Sequence, residues 1–237
     1  MNDSFNRETR EEYNRDFFNR WAGKYDHFRI SRWFRYTQEL TLQQLDWRPD
    51  GKLLDVGCGT GHAVVVAASR LPQGKACGID VSPAMVGAAV SKIPRELAQR
   101  MEFREAGAEH IPYDDNEFDY VICTNSFHHY HQPQQALGEM RRVLKAGGAL
   151  VIFENAPDLS LYTWVWDKVL RMFEKGHVRY YPSSELGSMI KEAGFDDVKL
   201  RVFKNEIWKH GKLFASIQVW AARVPVKSNG SVRMLGE

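Results

Sequence analysis

The chain has 237 residues, of which 43% are hydrophobic and 26% charged, and its formal net charge is +2. This composition is typical of one ordinary globular domain with additions. The near balance of 32 basic and 30 acidic residues gives no sign of the basic surface that nucleic-acid-binding proteins use. The sequence has no run of 18 apolar residues, so we expect no membrane-spanning helix.

Cysteine usage and the N-terminus bear on the compartment. The three cysteines, Cys58, Cys77 and Cys123, have neither the even number of a disulfide framework nor the spacing of a zinc site. The N-terminal residues are polar and charged, without the apolar segment of a signal peptide. We therefore expect a reduced, cytoplasmic setting.

Two aromatic helices are predicted ahead of the first strand. Aromatic residues recur at helical spacing from Glu11 onward, and a second helix is predicted over Trp33–Leu45. We assign residues 1–48 to an N-terminal helical cap, residues 49–224 to the main domain and residues 225–237 to a flexible tail. The aromatic side chains of the cap are expected to cover the sheet.

The centre of the sequence is a strand, a glycine-rich turn and a helix. Leu53–Val56 is short and apolar, as buried parallel strands are. Gly57, Gly59 and Gly61 follow, and an apolar helix then runs until Pro72. Glycines allow a sharp turn and let a ligand contact the main chain. The pattern predicts a ligand at the carboxyl end of the first strand.

Two carboxylates indicate which ligand this is. A dinucleotide site has the spacing G-x-G-x-x-G, whereas His62 stands here where the third glycine would be. Asp55 would repel a pyrophosphate but would attract the ammonium and sulfonium of S-adenosylmethionine. Asp80 ends the next apolar segment, about 20 residues beyond the loop, which is the usual distance for a carboxylate that binds ribose hydroxyls.

Further cofactor contacts are expected at the ends of the following strands. Ser82 and Pro83 predict the start of a helix, which places Val81 and Met85 where they either enclose adenine or belong to the core. Strands are predicted at Met101–Arg104 and Phe118–Thr124. Ala108 and Glu109 follow the first of these strands.

The segment after the fourth strand is expected to face the methyl acceptor. Asn125 is a candidate cofactor contact, and His128 is our candidate for a general base, with His129 as its alternative. A metal site is disfavoured, because adjacent loop histidines rarely converge on one ion and no acidic residue is close in sequence.

Together, Leu53–Gly61 with Asp80, Glu109–Asp119 and Arg142–Gly148 resemble the class I S-adenosylmethionine-dependent methyltransferases. The similarity is greatest to the small-molecule branch that includes ubiquinone and menaquinone methyltransferases. The resemblance implies that the N-terminal segment folds over the cofactor and that Tyr25 contacts it. Tyr25 is also our second candidate, after His128, for orienting the acceptor. The family's usual adenine-binding Asp is replaced by Gly107, so the backbone around Ala108 or the carboxylate of Glu109 is expected to recognise adenine instead. The resemblance also implies the strand order 3-2-1-4-5-7-6.

The rest of the chain is predicted to complete an α/β fold. A helix is predicted from Pro133 to a stop at Gly147 and Gly148, followed by a strand over Ala149–Phe153. Residues 155–182 are dense in aromatic side chains and predict either a lid over an apolar or planar acceptor or a homodimer contact. A helix capped by Ser183 or Ser184 and strands at Val198–Phe203 and Phe214–Ala222 follow, with a hairpin around His210.

The predicted fold is thus a Rossmann-like, mostly parallel seven-stranded sheet flanked by helices. The predicted function is direct in-line transfer of a methyl group from S-adenosylmethionine to a small apolar or aromatic molecule, with no metal and no nucleic-acid partner. Two alternatives stay open at this point: a non-catalytic module that binds S-adenosylmethionine, and an NAD(P)-dependent oxidoreductase.

Overall fold

The computed structural model describes residues 7–23, 29–173, 177–203 and 216–226. Its helices are α1 (Arg7–Ala22), α2 (Arg29–Leu42), α3 (His62–Arg70), α4 (Pro83–Ser91), α5 (Pro133–Val143), α6 (Leu161–Phe173) and α7 (Ser183–Glu192). Its strands are β1 (Lys52–Val56), β2 (Lys75–Asp80), β3 (Met101–Glu105), β4 (Phe118–Thr124), β5 (Leu144–Asn155), β6 (Asp196–Phe203) and β7 (Ile217–Arg223). One-turn 3₁₀ segments include Phe127–His129 after β4 and Pro157–Leu159 after β5.

The seven strands form one sheet in the order β3-β2-β1-β4-β5-β7-β6, which confirms the predicted order. Strands β1 to β5 pair in parallel, and β7 runs antiparallel to both β5 and β6. The chain moves outward from β1 in one direction and then returns to its other side with β4. This reversal opens a crevice at the carboxyl ends of the strands.

Apolar side chains fill both faces of the sheet. Alternate residues of a strand point to opposite faces, so Leu54 and Val56 join the core beneath α5 and α7, whereas Leu53 joins the core formed with α2 and α3. The central strands are therefore buried on both sides, as parallel sheets are. Within the described ranges, no helix has the length and apolar character that crossing a bilayer requires.

Several predicted boundaries hold and others are wrong. Ser82 caps α4 as predicted, since its hydroxyl accepts a hydrogen bond from the Met85 N–H at 3.1 Å. Strand β5 begins at Leu144, before the glycines that were predicted to end α5, because Leu144 already pairs with Phe118. The cap of α7 is Pro182 and not a serine. The predicted hairpin around His210 and nearly all of the predicted tail lie outside the described residues.

Helix α6 has an unusual distribution of side chains. Leu161, Trp164 and Met172 are 76%, 50% and 76% exposed, while the polar Thr163 and Asp167 are 2% and 3% exposed. Thr163 accepts a hydrogen bond from the Ser216 N–H at 3.2 Å, beside β7. The helix therefore directs Thr163 and Asp167 toward the protein while several of its large apolar side chains are exposed, which is unusual for a surface helix.

Two helical glycines give a matched test of the packing. A Cβ at Gly187 of α7 would lie 2.5 Å from the Trp220 ring, whereas a Cβ at Gly138 of α5 would meet no heavy atom within 4 Å. Gly187→Ala is therefore expected to lower the free energy of unfolding by about 1–3 kcal/mol through overpacking. Gly138→Ala is expected to raise it by about 0.4–1 kcal/mol. Urea unfolding followed by circular dichroism measures both values, and a stabilising Gly187→Ala would contradict the described packing of α7 on β7.

Candidate active site

A cavity lies at the carboxyl ends of β1 to β4 and encloses about 1160 Å³, counting its open mouth. Eight of the predicted cofactor residues line it: Gly57, Gly59, Asp80, Val81, Met85, Ala108, Glu109 and Asn125. Asp55 and Gly61 are not among the lining residues, and Tyr25 lies outside the described residues.

The glycine loop brings main chain to the cavity wall. Gly57, Gly59 and Gly61 all have positive φ angles, of 77°, 52° and 82°, which glycine adopts without strain. A Cβ at Gly57 would lie 2.5 Å from the Ser126 hydroxyl oxygen. A Cβ at Gly61 would lie 2.7 Å from the Phe103 ring. Gly57 therefore keeps the loop close to the end of β4, and Gly61 lets α3 pack closely.

Asp80 is held in a defined orientation at the end of β2. One carboxylate oxygen accepts the Gly59 N–H at 2.8 Å, and the other accepts the Ser82 N–H at 2.9 Å. Burial raises the pKa of Asp80 to about 6, while these two N–H groups favour the charged form. Each oxygen keeps a further lone pair, and the side chain lines the cavity. Asp80 is thus placed to accept hydrogen bonds from a pair of vicinal hydroxyls.

Asp55 is the most strained electrostatic feature of the site. Its carboxyl group is 1% exposed, and within the described ranges neither oxygen has a hydrogen-bond partner. Burial, and to a lesser degree the charge of Asp80, raises the pKa of Asp55 to about 8. A buried carboxylate without partners is costly, and a nearby cation would remove that cost. This orphaned group fits a cofactor that carries an ammonium and a sulfonium.

The neighbourhood predicted for adenine is well formed but already partly hydrogen-bonded. Met85 is 1% exposed and lines the cavity together with Val81 and Ala108. One Glu109 carboxylate oxygen accepts the N–H groups of His131 and Gln132, at 3.2 and 3.4 Å. The carboxylate of Glu109 therefore ties the β3–β4 region to the segment after β4, and adenine recognition by this residue stays a prediction.

Helix α2 is attached to the end of β4 by hydroxyl and amide groups. Asn125 Nδ2 donates to the Thr37 hydroxyl at 2.7 Å, and the Thr124 hydroxyl donates to that of Thr41 at 3.1 Å. This attachment brings Phe34 and Gln38, one helical turn apart, to the cavity wall. Gln38 is 9% exposed, and its amide oxygen has no donor within the described ranges.

Helix α1 presents a similar pair of side chains. Asn19 Oδ1 accepts hydrogen bonds from the Ser82 hydroxyl and the Ala84 N–H, at 2.7 and 3.2 Å, which fixes α1 on the start of α4. Asn14 and Phe18, again one turn apart, line the cavity. Asn14 Nδ2 donates to the His129 carbonyl at 3.4 Å. Its amide oxygen is buried and, within the described ranges, has no donor.

The structure does not bring His128 to the cavity wall. His128 is 7% exposed, and its Nδ1 lies 2.9 Å from both oxygens of the fully buried Glu154. Burial lowers the pKa of His128 to about 3 and raises that of Glu154 to about 8. Both directions favour a pair without separated charges. The next residue, His129, lines the cavity, with its ring centroid 4.1 Å from that of His128.

Sequence reasoning missed several residues of this site. Asn14, Phe18, Phe34 and Gln38 were expected only to help cover the sheet or were not singled out. Their spacing of four residues within each helix was the available signal. Glu154 carried a signal as well, because it is an acidic residue at the end of an apolar strand, as Asp80 is. In the segment after β4, the sequence does not show which histidine faces the cavity. The structure does, because Nδ1 of His128 is directed at Glu154 whereas His129 lines the cavity.

Comparison with known proteins identifies the class. A model of the methyltransferase domain matches residues 54–152. The demethylmenaquinone methyltransferase of Lactiplantibacillus plantarum is 30% identical over 190 residues, which cover 71% of this chain and 80% of that protein. With the glycine loop and Asp80 placed as described, the chain belongs to the class I S-adenosylmethionine-dependent methyltransferases. Within that class it resembles the menaquinone-type enzymes.

Solved structures with the same fold agree with this assignment. A methyltransferase from Thermotoga maritima, described as a possible histamine N-methyltransferase, superimposes with a TM-score of 0.68 at 21% identity and covers 88% of this chain and 98% of its own. The phosphoethanolamine N-methyltransferase 2 of Haemonchus contortus, solved with S-adenosylhomocysteine, gives 0.71 at 17% identity and covers 90% of this chain and 60% of its own. At these identities the likeness shows the fold. The protein is an S-adenosylmethionine-dependent methyltransferase that acts on a small molecule.

The raised pKa of Asp55 gives a pH-dependent prediction. The folded state holds a proton that the unfolded state releases near pH 4, so the wild-type protein should lose stability as pH rises from about 4 to about 8. Asp55→Asn lacks this proton. Between about pH 4 and 8, the free energy of unfolding of the variant should therefore rise relative to that of the wild type, by at most about 1.4 kcal/mol per pH unit. Above about pH 8 the difference between the two should stay constant.

Urea unfolding at pH 5, 6.5 and 8 measures the difference. Saturating S-adenosylmethionine should stabilise the wild type more than the variant, because the ligand's positive charges interact with an ionised Asp55. Parallel pH profiles of the two proteins, with equal stabilisation by the cofactor, would contradict the assignment of Asp55 as a buried carboxyl group without partners that ionises when the cofactor binds nearby.

Proposed function

We propose that the methyl acceptor is a small molecule with a planar, largely apolar ring that carries polar substituents, and that the methyl group passes directly to it in line. The observation that carries this proposal is the pair of matched helix faces at the cavity. Helix α1 offers Phe18 and Asn14, and helix α2 offers Phe34 and Gln38. Aromatic rings suit a planar partner, and buried amide oxygens without donors call for hydroxyl or N–H groups on the ligand.

The relatives support a ring-containing acceptor. The Lactiplantibacillus plantarum protein is named a demethylmenaquinone methyltransferase, which specifies a quinone-type acceptor for that protein. We extend to this chain only the general chemistry, a flat ring with oxygen substituents. Such a molecule would contact both aromatic side chains while its polar groups met Asn14 and Gln38.

The protein's main contribution to catalysis is orientation. When bound, S-adenosylmethionine supplies a methyl group on a positively charged sulfur. Asp80 binds the ribose hydroxyls, Asp55 provides the opposite charge, and the aromatic side chains of α1 and α2 exclude water. Correct alignment of two bound reactants can contribute up to roughly 7–11 kcal/mol, so a strong base is not required for every acceptor.

Where the acceptor must lose a proton, we assign its contact to His129. His129 lines the cavity, whereas His128 lies behind it with Nδ1 directed at Glu154. The original prediction for His128 thus becomes a supporting role. In this proposal the acceptor's hydroxyl or enol proton moves to the His129 imidazole, the acceptor atom forms a bond to the methyl carbon, and the carbon–sulfur bond breaks. Tyr25 keeps its predicted role in orientation and cofactor contact.

Two further proposals concern the aromatic segment and the location of the protein. The aromatic segment 155–182 acts as a lid, with a homodimer contact as the alternative use of its exposed side chains. A cytoplasmic location is supported by the three cysteines, which are all free and buried. These proposals do not affect the assignment of the cofactor site.

Methyl transfer is tested directly with labelled cofactor. Wild-type protein, S-adenosylmethionine labelled in its methyl group and an extract of small metabolites should give a labelled product that contains an aromatic or quinone-type ring. Asp80→Asn should weaken cofactor binding roughly 10- to 100-fold, as expected for the loss of charge-assisted hydrogen bonds, and reduce labelling accordingly. The exposed Asp196→Asn is the matched control. Tight cofactor binding without any labelled product would contradict the proposal.

The polar side of the acceptor site is tested at Gln38. Gln38→Leu keeps the approximate volume but removes the carboxamide, so the KM for the acceptor identified above should rise by roughly tenfold, the value of about one hydrogen bond. The KM for the cofactor should stay within about twofold. Gln43→Leu, an exposed residue just beyond α2, is the control. An equal loss of cofactor affinity would place Gln38 at the cofactor instead.

A further inference from the structure

A second pair of a carboxylate and an imidazole lies behind the acceptor side of the cavity. Asp167, in the middle of α6, accepts a hydrogen bond from His177 Nε2 at 2.9 Å and from the Tyr180 N–H at 2.7 Å. Its other oxygen pairs with Arg171 at 2.7 Å. Burial alone would raise the pKa of Asp167, but these donors lower it overall. Asp167 is therefore ionised and serves only as an acceptor.

This pairing fixes the state of the His177 ring. Because an ionised carboxylate can only accept, Nε2 of His177 must carry the hydrogen. Burial and the neighbouring His128 lower the pKa of His177 to about 4, so the ring is neutral and Nδ1 has no hydrogen. Nδ1 is buried and, within the described ranges, has no hydrogen-bond partner.

The pair is in direct contact with the histidines after β4. The ring centroid of His177 lies 5.2 Å from that of His128 and 6.3 Å from that of His129. The next residue, Val178, donates its N–H to the His128 carbonyl at 3.0 Å. Tyr180 packs edge-on against both His128 and His177, at 4.9 and 4.7 Å. The segment 177–180 therefore links α6 to the turn that carries His129.

The unusual distribution of side chains on α6 indicates that this link has a function. A buried charged group contributes little net stability, and apolar side chains in its place would often stabilise the fold more. Yet α6 buries Asp167 and exposes Trp164, Trp166 and Met172. A local departure from the stabilising pattern is expected at functional sites. Besides its ion pair with Arg171 on the same helix, the buried carboxylate contacts His177 and Tyr180, which pack against the turn of His128 and His129.

We propose that Asp167 and His177 are positioning residues for the methyl acceptor, which hold the turn of His128 and His129 from the side of α6 so that the His129 ring keeps its place in the cavity wall. Glu154 holds the same turn from β5, through His128. The turn is thus supported by one carboxylate from the sheet and one from α6. This inference rests on the proposed function, since it assumes that His129 meets the acceptor.

Two neutral replacements test whether His177 acts by donating a hydrogen bond to Asp167. The amide nitrogen of Gln reaches the place of Nε2, so His177→Gln can still donate to Asp167. The shorter His177→Asn has its amide nitrogen near the place of Nδ1 and leaves Asp167 without that donor. His177→Gln should keep at least about a third of the wild-type kcat. His177→Asn should lose roughly 10- to 100-fold in kcat, the effect of misplacing a catalytic group by about 1 Å.

Both variants should bind S-adenosylmethionine within about twofold of the wild type. Lys168→Ala, an exposed residue on the same helix, is the control and should match the wild type. Equal kcat values for His177→Gln and His177→Asn, whether both normal or both low, would overturn the proposal. A wild-type protein that transfers no methyl group would instead contradict the proposed function.

A measurement independent of activity completes the test. Nitrogen-15 spectra of the imidazole rings should show hydrogen on Nε2 of His177 in the wild type. Asp167→Leu removes the acceptor of both the His177 Nε2–H and the Tyr180 N–H, so Nε2 should no longer be the fixed place of the hydrogen. The His129 resonances should shift in Asp167→Leu and His177→Asn but not in Lys168→Ala. Unchanged His129 resonances in both Asp167→Leu and His177→Asn would overturn the link even if the protein proved inactive.

Discussion

The site is built around one buried carboxyl group that has no partner of its own. Asp55 follows two apolar residues of β1, Leu53 and Leu54, and within the described ranges neither of its oxygens is hydrogen-bonded. In the free protein this arrangement costs stability, and burial raises the pKa of Asp55 to about 8 as a consequence. The cost becomes useful when a cation binds nearby, because the interaction is strong where water is excluded. A nucleoside with an ammonium and a sulfonium meets this requirement, and a pyrophosphate does not.

The sheet topology turns this local feature into a complete site. Parallel strands place their carboxyl ends along one edge. At or near the ends of four of them lie Asp55 and Gly57 (β1), Asp80 (β2), Thr124 and Asn125 (β4), and Glu154 (β5). These residues differ in what they contact. Asp80, Gly57 and Gly59 line the cavity, Asn125 attaches α2, and Glu154 pairs with His128 in the turn that carries His129.

The position of Gly57, Gly59 and Asp80 at the cavity could be predicted from the sequence because its determinants are local. A strand, three glycines, a helix and an acidic residue at the end of the next strand specify their own geometry through backbone conformation. The acceptor half could not be predicted in the same way. His128 and His129 are adjacent, and which ring faces the cavity is decided by Glu154, 26 residues away. Likewise, the partner of His177 is Asp167 on an aromatic helix whose sequence suggested only a lid.

The range matched by the family model follows the same division between the cofactor side and the acceptor side of the cavity. It matches residues 54–152, which include the glycine loop, Asp80 and His129. Helices α1 and α2, Glu154, Asp167 and His177 all lie outside that range. The matched part of the fold therefore contains the glycine loop, Asp80 and the histidines at the cavity wall, while the surrounding segments supply the aromatic rings and carboxamides of α1 and α2 and the carboxylates of Glu154 and Asp167. In the proposed function the choice of acceptor is made by side chains that contact this shared part from three separate directions, and their geometry arises only when the whole chain has folded.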